Sequence, residues 1–230
     1  MINGKSVAVV IPALNEELSI GQVLERLPTC FDVVVVADNG SEDSTAHIAA
    51  MKGAVVVHEA RRGYGAACLC ALRYLRSNPP DVVLFCDADG ADHPEDALRV
   101  AEVVATTNAL LCIGSRTQGV RERGALTPQQ VFGNWLATML IRLRWNVRYS
   151  DLGPLRAITW QALEELDMED VTWGWTVEMQ IKAAQCGMAF TEIPVRYRRR
   201  IGQSKISGTI MGSVRAGTKI LSTIARYALK

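Results

Sequence analysis

The stretch Val82-Val-Leu-Phe-Cys86-Asp87-Ala-Asp89-Gly-Ala-Asp92 decides the fold class. Its first five residues are apolar without polar alternation, which is typical of a strand buried on both faces of a sheet. Acidic residues and a glycine follow at once and predict a turn directly after the strand. Strands of this kind occur in parallel sheets that helices cover. The stretch therefore predicts an α/β protein with carboxylates at the carboxyl end of a buried strand.

The same pattern extends along the chain in both directions. Short apolar runs alternate with helical patterns, as in successive β-α-β units. The predicted strands are 7–11, 33–37, 54–58, 82–86 and 110–113, and the predicted helices lie near 17–27, 43–52, 64–77 and 94–106. After residue 115 we expect a loop (116–127), helices near 128–144, 159–166 and 175–186, an unassigned segment at 149–157, and a strand or strand pair within 189–200. The whole predicts a single α/β domain with a mostly parallel central sheet flanked by helices.

Length and charge agree with one compact domain. The chain has 230 residues, of which 49% are hydrophobic and 21% charged, so it needs neither disulfides nor a structural metal to fold. We expect one domain over 1–205 and a C-terminal amphipathic basic helix over 206–230 that belongs to it. The net charge of +1 gives no argument for a nucleic-acid partner. Residues 196–230 nevertheless hold nine Lys or Arg and no Asp or Glu.

The cysteines and the N-terminus bear on the compartment. The six cysteines lack the paired spacing of zinc ligands, so we expect reduced thiols in a cytoplasmic protein. Pro12 interrupts the first apolar run and acidic residues follow, which argues against a signal peptide. No apolar run approaches the roughly 18 residues of a membrane-spanning helix. We expect a protein that is soluble or peripheral at the inner face of a membrane, with no appended anchor.

Polar clusters follow three of the predicted strands. They are Pro12-Ala-Leu-Asn-Glu16, Asp38-Asn-Gly-Ser-Glu-Asp43 and Asp87-Ala-Asp89-Gly-Ala-Asp92. In open parallel sheets, ligands bind beyond the carboxyl ends of the strands. Asp87 and Asp89 form a pair that could hold Mg²⁺ or Mn²⁺ together with phosphate oxygens. The alternative is an ordinary Asp/Gly turn, and Asp38-Asn-Gly-Ser41 has the same alternative.

A basic segment lies near the end of the chain. Arg198-Arg-Arg200-Ile-Gly-Gln-Ser204-Lys205 combines four cations, a glycine and a hydroxyl, which suits the binding of phosphates. A solvated basic strand end is the alternative.

The ordered set of these motifs resembles the family 2 glycosyltransferases with the GT-A fold, in particular the dolichyl- and polyprenyl-phosphate sugar synthases. The motifs that carry the resemblance span 7–207. They are Ile11-Pro-Ala-Leu-Asn15-Glu16, Asp38-Asn-Gly-Ser-Glu-Asp43-Ser-Thr45, Arg62-Gly-Tyr-Gly65, Asp87-Ala-Asp89-Gly, Gly114-Ser-Arg116, Asp151-Leu-Gly-Pro-Leu-Arg156-Ala, Glu178, and Ile193-Pro-Val-Arg-Tyr-Arg with Gly202-Gln-Ser204-Lys205.

The resemblance implies roles for single residues. The base and ribose of the nucleotide would contact Pro12, Leu14, Glu16, Val36 and Asp38. Asp87, Ala88 and Asp89 would lie at the metal and the diphosphate, with Asp87 and Asp89 as metal ligands and Asp89 the direct one. Arg116 would face the acceptor phosphate, and the donor diphosphate or acceptor phosphate would contact Arg199, Arg200 and Lys205. Ala91 departs from the family, in which Gln or Ser often completes the metal shell, so water or Asp92 would have to substitute.

The resemblance also implies the activity. We expect a metal-dependent inverting glycosyltransferase that moves a sugar from a UDP- or GDP-sugar to polyprenyl or dolichyl phosphate. A phosphate acceptor is already anionic and needs no general base, whereas a hydroxyl acceptor needs a carboxylate such as Glu178. Glu178 has a structural alternative, in which it orients Arg156 or a backbone amide. Other functions left open are transfer to a soluble hydroxyl or phosphate acceptor, a nucleotidyltransferase, and a non-catalytic nucleotide-sugar-binding relative.

The C-terminal helix has two interpretations. Arg215, Lys219, Arg226 and Lys230 fall in one stripe, and the apolar residues Ile206, Ile210, Val214, Leu221, Ile224 and Ala228 gather on the opposite side. One interpretation is a helix that lies on an anionic membrane surface. The alternative is a helix docked on the body of the protein or at a subunit interface of a homo-oligomer.

Overall fold

A computed structural model describes residues 1–202 and 210–229. Its strands are β1 (Val7–Ala13), β2 (Val33–Asp38), β3 (Val55–His58), β4 (Val82–Phe85), β5 (Leu111–Ser115), β6 (Arg156–Thr159) and β7 (Phe190–Pro194). Its helices are α1 (Ile20–Arg26), α2 (Thr45–Met51), α3 (Tyr64–Leu75), α4 (Pro94–Thr106), α5 (Pro128–Trp145), α6 (Trp160–Leu166), α7 (Trp175–Gln185) and α8 (Ile210–Ala228). Apart from β6, the expected order of strands and helices is confirmed over the described residues.

The strands form one seven-stranded sheet in the order β3-β2-β1-β4-β6-β5-β7. β6 runs antiparallel to β4 and β5, and the other neighbouring strands are parallel. The expected mostly parallel sheet is therefore confirmed. β6 falls where the sequence predicted no element, because its four residues begin with an arginine and lack the apolar run of a buried strand.

Two hydrophobic cores lie on opposite faces of the sheet. One packs β-strand side chains against α1, α2 and α4, and the other packs them against α3, α5, α6, α7 and α8. β1 and β4 are buried at every position, as expected for strands covered on both faces. All six cysteines lie in the described part of the chain and are free thiols, three of them buried.

The C-terminal helix packs on the body of the protein. Thr223, Ile224 and Tyr227 of α8 are buried, and α8 contacts α5 and α7. Lys219 does not project freely into solvent, because its ammonium lies 2.7 Å from the carboxylate of Asp170. The docked interpretation of this helix therefore describes residues 210–229, and Lys219 of the predicted cationic stripe pairs with the body of the protein. Positions 206–209 and 230 lie outside the described residues.

No helix among the described residues has both the length and the apolar character needed to span a bilayer.

Candidate active site

The carboxyl ends of β1, β2 and β4 meet at one edge of the sheet, and two adjoining cavities open there. The first has a volume of about 390 Å³ and the second about 280 Å³. Both are of a size that binds small molecules. Five residues line both cavities and therefore mark the junction between them: Tyr64, Asp87, Asp89, Trp173 and Arg200.

The two carboxylates of the Asp87-x-Asp89 motif lie at this junction. Asp89 is 5% exposed, and its carboxylate accepts a hydrogen bond from the Ala91 amide at 2.9 Å, which closes the turn after β4. Asp87 accepts one from the Tyr64 hydroxyl at 3.2 Å. Burial, together with the negative charge of Asp89, raises the pKa of Asp87 to about 7. Two carboxylates that line the same junction and are partly withdrawn from water favour a bound cation.

A third carboxylate, Asp92, lies beside this pair. It is 6% exposed, and neither of its oxygens has a hydrogen-bond partner among the described residues. Burial raises the pKa of Asp92 well above 3.8, and the charges of Asp87 and Asp89 raise it further. A buried carboxylate that lacks donors marks a place where a cation or water would supply the missing partner.

The oxygen donors at the junction suit a hard divalent cation. Within the described residues, no three His, Cys, Asp or Glu side chains are close enough together to hold a metal ion unaided. Mg²⁺ is commonly bound by one or two carboxylates plus substrate phosphates, so an incomplete protein shell is the expected arrangement for a nucleotide-bound ion. Asp87 and Asp89 therefore fit the metal that the sequence predicted, with ligand oxygens completing its shell.

Arg200 connects the two cavities. Its guanidinium lies 2.8 Å from Glu16 and 3.4 Å from Asp89. Its Nε is buried without a hydrogen-bond partner among the described residues. The side chain thus places a positive charge between the end of β1 and the turn after β4.

Arg116 lies in the second cavity and is held rigidly. Its Nε and Nη2 donate to the two oxygens of Asp151 at 2.8 and 2.7 Å, a bidentate pair, and its Cζ lies 5.2 Å from the centre of the Tyr197 ring. Burial alone would lower the pKa of Arg116, but the Asp151 carboxylate outweighs it and raises the pKa above the ordinary range. Arg116 therefore presents a permanent, oriented charge to this cavity.

The segment after β7 is tied to the turn after β4, and this places Arg200. Backbone amides of Arg198 and Ile201 donate to the carbonyls of Ala91 and Asp89 at 3.0 and 2.9 Å. Further back, the fully buried Asp96 accepts hydrogen bonds from the backbone amide of Arg196 at 2.7 Å and from its Nε at 3.0 Å. Asp96 on α4 thus holds the start of the basic segment.

Asp96→Asn is expected to lower the free energy of unfolding by about 1.5–3 kcal/mol at neutral pH, because the amide cannot accept from Arg196 and Arg99 as the carboxylate does. Burial favours the neutral acid, yet the Arg196 and Arg99 hydrogen bonds hold the pKa of Asp96 below 3.8. A lowered pKa stabilises the fold above the unfolded-state value and loses that effect as the pH falls through the folded-state value. Urea unfolding should show the difference shrinking below about pH 4.

Glu95→Gln is the matched control, because Glu95 contacts the same arginine at 3.1 Å but is 70% exposed. It should change stability by less than about 0.5 kcal/mol. An equal effect of the two substitutions would contradict the role given to Asp96.

Several sequence-predicted residues line the first cavity. Beyond the junction residues, these are Pro12, Leu14, Glu16 and Ala88. Asp87, Asp89 and Arg200 line both cavities, and Arg116 lines the second. The structure thus brings together most of the residues chosen from the sequence.

Two predicted nucleotide contacts lie elsewhere. Val36 is fully buried in the middle of β2, where it packs in the hydrophobic core on one face of the sheet. Asp38 ends β2 and is 4% exposed, with its carboxylate near the Ser41 amide and the His58 ring, both at 3.2 Å. Its neighbour Asn39 is the residue that reaches the first cavity. The polar cluster after this strand was predicted, but the sequence did not indicate that Asn39, the first residue after β2, would line the cavity in place of Asp38.

Of the predicted phosphate contacts, Arg199 lies away from the cavities and Lys205 is not described. Arg199 is exposed and turns toward the 122–123 loop, where its backbone amide donates to Glu122 and its Nε to the Arg123 carbonyl. It lines neither cavity as the described residues define them. Lys205 lies outside the described residues.

Glu178 is fully buried on α7 and does not line either cavity as the described residues define them. Its carboxylate accepts hydrogen bonds from the Asp170 amide at 2.7 Å and the Tyr227 hydroxyl at 2.6 Å, and Lys182 lies at 3.3 Å. This is the structural alternative, in which Glu178 holds backbone amides. Among the described residues, Glu178 thus lies away from both cavities, although the sequence had placed it among the catalytic candidates.

Sequence reasoning assigned no role to several side chains of the first cavity, among them three polar or aromatic ones. Tyr64 and Arg62 belong to the Arg62-Gly-Tyr-Gly65 motif, whose side chains had no assigned role, and Asn39 was hidden in a turn motif. Trp173 lines both cavities, whereas Trp175 is buried with its ring centre 5.9 Å from that of Phe85. The two tryptophans therefore divide between ligand cavity and core, an assignment that required the structure.

The glycines of this motif permit a close backbone contact. A Cβ on Gly65 would lie 1.8 Å from the Asp170 carbonyl oxygen. The Gly65 and Ala66 amides at the start of α3 donate to the carbonyls of Thr172 and Val171. This contact brings Tyr64 and Trp173 to the same junction.

Comparison with known proteins identifies relatives. Residues 8–162 match the model of "Glycosyl transferase family 2". An uncharacterised glycosyltransferase of Mycobacterium tuberculosis is 35% identical over 92% of this chain and 94% of its own. The undecaprenyl-phosphate mannosyltransferase of Micrococcus luteus is 30% identical over 90% of this chain and 89% of its own.

A solved structure confirms the expected GT-A fold. Glucosyl-3-phosphoglycerate synthase from Mycobacterium tuberculosis, in complex with Mn²⁺, UDP-glucose and phosphoglyceric acid, aligns with a TM-score of 0.77 and 21% identity. The alignment covers 98% of this chain and 80% of that one.

Proposed function

This chain belongs to glycosyl transferase family 2 and is therefore a glycosyltransferase, and from this premise we propose that it transfers a sugar from a UDP- or GDP-sugar to polyprenyl or dolichyl phosphate with inversion. Membership of the family removes the nucleotidyltransferase and non-catalytic alternatives. The relative in Micrococcus luteus, which is named for an undecaprenyl-phosphate acceptor, supports the choice of acceptor.

The observation that carries the proposal is the pair of adjoining cavities with Asp87, Asp89 and Arg200 at their junction. Transfer between two substrates requires both to reach one point in alignment. We assign the nucleotide-sugar to the first cavity and the acceptor to the second. The diphosphate would then lie at the junction, with the reacting sugar carbon facing the second cavity.

In the first cavity, Pro12 and Leu14 supply apolar contact for the base, and Glu16 accepts from ribose hydroxyls. In this assignment Asn39, rather than Asp38, makes the contact to the base or ribose that the sequence predicted for Asp38. Ala88 leaves room for the diphosphate, and Arg200 binds it. Each role follows from the side chain's chemistry and its position in the cavity lining.

Asp87 and Asp89 would hold Mg²⁺ or Mn²⁺. When bound, the ion neutralises negative charge that develops on the leaving nucleoside diphosphate. The GT-A structure that contains Mn²⁺ and UDP-glucose supports a divalent ion with a nucleotide-sugar donor. Arg200 adds a fixed positive charge at the same phosphates and so favours their departure.

In the second cavity, Arg116 would bind the acceptor phosphate and orient one oxygen toward the sugar carbon. A phosphate monoester oxygen is anionic near neutral pH, so it can attack without losing a proton to the protein. This agrees with the enclosure of Glu178. A soluble phosphate-bearing acceptor would use the same cation and is the second candidate, supported by the phosphoglyceric acid in the GT-A relative.

The test is a screen of UDP- and GDP-sugars against undecaprenyl phosphate, 3-phosphoglycerate and water, with nucleoside diphosphate release and product mass as readouts. We expect one nucleotide-sugar to yield a glycosylated polyprenyl phosphate, with release falling about a hundredfold or more when EDTA replaces Mn²⁺. A product found only with the soluble acid would replace the lipid acceptor by the second candidate. Undiminished release in EDTA would overturn the metal assignment.

A further inference from the structure

The outward side of α5 is apolar, although it faces solvent. Phe132 is 61% exposed, Trp135 55% and Leu143 75%. With the partly buried Leu136 and Met139, they recur at intervals of three and four residues and so form one stripe along the helix. We call these five residues the α5 apolar face.

This face is additional to the side by which α5 packs on the protein. Ala137, Thr138 and Ile141 are the buried residues of α5, and they contact the core beneath. A helix on the surface of a globular domain normally carries polar residues on its outward side. An apolar stripe that includes an adjacent Phe132–Trp135 ring pair, with centres 5.8 Å apart, marks a binding surface.

The sequence of α5 and of the residues that flank it carries positive charge but no negative charge. Residues 123–150 contain no Asp or Glu, and Arg142, Arg144 and Arg148 are exposed there. The neighbouring α8 adds Arg215 and Arg226, also exposed, in a segment without acidic residues. A helix that combines exposed aromatic side chains with exposed arginines suits the boundary between headgroups and acyl chains of an anionic bilayer.

The face adjoins the second cavity. Gln129, Gln130, Gly133 and Asn134, in the first turns of α5, line that cavity, so Phe132 stands next to its rim. Ala216, Gly217 and Ile220 of α8 line the same cavity. A lipid surface against α5 would therefore lie at the entrance to the cavity that contains Arg116.

We propose that the α5 apolar face docks on an anionic lipid bilayer and brings a membrane-bound phosphate to the second cavity. The inference rests on the proposed function, since a lipid-linked acceptor is what requires a bilayer at this rim. It moves the membrane contact from the cationic stripe predicted in the C-terminal helix to the side of α5. A second copy of the chain fits the face less well, because two such surfaces would oppose arginines with no carboxylate between them.

The test is flotation of the full chain with vesicles of phosphatidylcholine, with and without phosphatidylglycerol. The variant Phe132→Ser/Trp135→Ser/Leu143→Ser should lose at least about tenfold in vesicle affinity, because it removes the large apolar groups. Leu18→Ser/Met51→Ser is the control, since these apolar residues are 68% and 72% exposed. Leu18 precedes α1 and Met51 ends α2, and both helices pack on the other face of the sheet. It should bind as the wild type does. Thermal unfolding of each variant verifies its fold.

A charge variant distinguishes binding to anionic lipid from non-specific hydrophobic adsorption. Arg142→Gln/Arg148→Gln should weaken binding to vesicles with phosphatidylglycerol by several-fold and leave the weak binding to neutral vesicles unchanged. Equal vesicle binding by the wild type and the triple serine variant would overturn the proposal. So would a wild-type dimer that the triple variant converts to a monomer without any effect on vesicles.

Failure of this proposal can be told apart from failure of the proposed function. The triple variant should still release nucleoside diphosphate with a short-chain polyprenyl phosphate in detergent. If neither protein transfers sugar to any polyprenyl phosphate but only the wild type binds vesicles, the surface stands and the acceptor assignment fails. If both transfer equally in vesicles, the surface assignment fails.

Discussion

Asp89→Asn is expected to reduce kcat by about 10³-fold while the protein stays folded. Asparagine keeps an oxygen that can accept the Ala91 amide, so the turn after β4 persists. It removes the negative charge that faces Arg200 at 3.4 Å and the oxygen proposed to bind the metal. Loss of one preorganised charge at a developing phosphate charge costs about 10²–10³ in rate, and loss of the metal adds to this. Steady-state nucleoside diphosphate release measures the effect.

The matched control is Glu165→Gln, which neutralises an exposed carboxylate on α6 outside both described cavity linings. It should leave kcat and KM within about twofold of the wild type, as surface changes usually do. Undiminished turnover in Asp89→Asn, with cooperative thermal unfolding in both variants, would refute the assignment of Asp89.

Arg200→Ala is expected to lower kcat/KM by about a hundredfold or more. The guanidinium borders both cavities and pairs with Glu16 and Asp89, so its removal deprives the donor diphosphate of a fixed positive charge. We expect the larger part of the loss in kcat, because charge on the leaving phosphate grows toward the transition state. The kcat/KM of Arg200→Lys should lie between the values for the wild type and for Arg200→Ala. An ammonium keeps the positive charge but lacks the two parallel N–H donors of a guanidinium.

Arg199→Ala is the control for this prediction. It also tests the structure against the sequence, which proposed a phosphate contact for both arginines. Arg199 precedes Arg200 in the same basic run, but it is exposed and bonded to the 122–123 loop. It should change kcat/KM by less than about threefold. A larger loss in Arg199→Ala than in Arg200→Ala would reverse the assignment of the two arginines.

The sequence predicted the core elements of the fold because burial on both faces leaves a local trace. β1 and β4 appear as uninterrupted apolar runs, and each is buried along its whole length. β6 left no such trace. It places the fully buried Arg156 in the middle of the sheet, where the guanidinium donates to the Thr176 carbonyl at 2.9 Å. A hydrogen bond between residues twenty positions apart leaves no trace in a local sequence pattern.

The same contrast applies to the site. That carboxylates would gather at one edge of the sheet followed from the strand pattern and residue type, whereas the family resemblance added Arg116 and Arg200. Asp87, Asp89, Arg116 and Arg200 do line the cavities. Which members of each cluster face inward did not follow. The resemblance proposed Val36, Arg199 and Glu178 for this edge, yet each points into other surroundings.

The sequence by itself determined the α/β class, the family resemblance and the acidic and basic segments, because these depend on residue type and spacing along the chain. Only the tertiary structure decided that Arg200 spans two cavities, that Glu178 is enclosed by Tyr227 and the Asp170 amide, and that the outward side of α5 is apolar. The physical reason is that burial and charge pairing belong to contacts between distant segments. Residue type tells which chemical groups a side chain carries, but the contacts made in the folded protein decide what that side chain does.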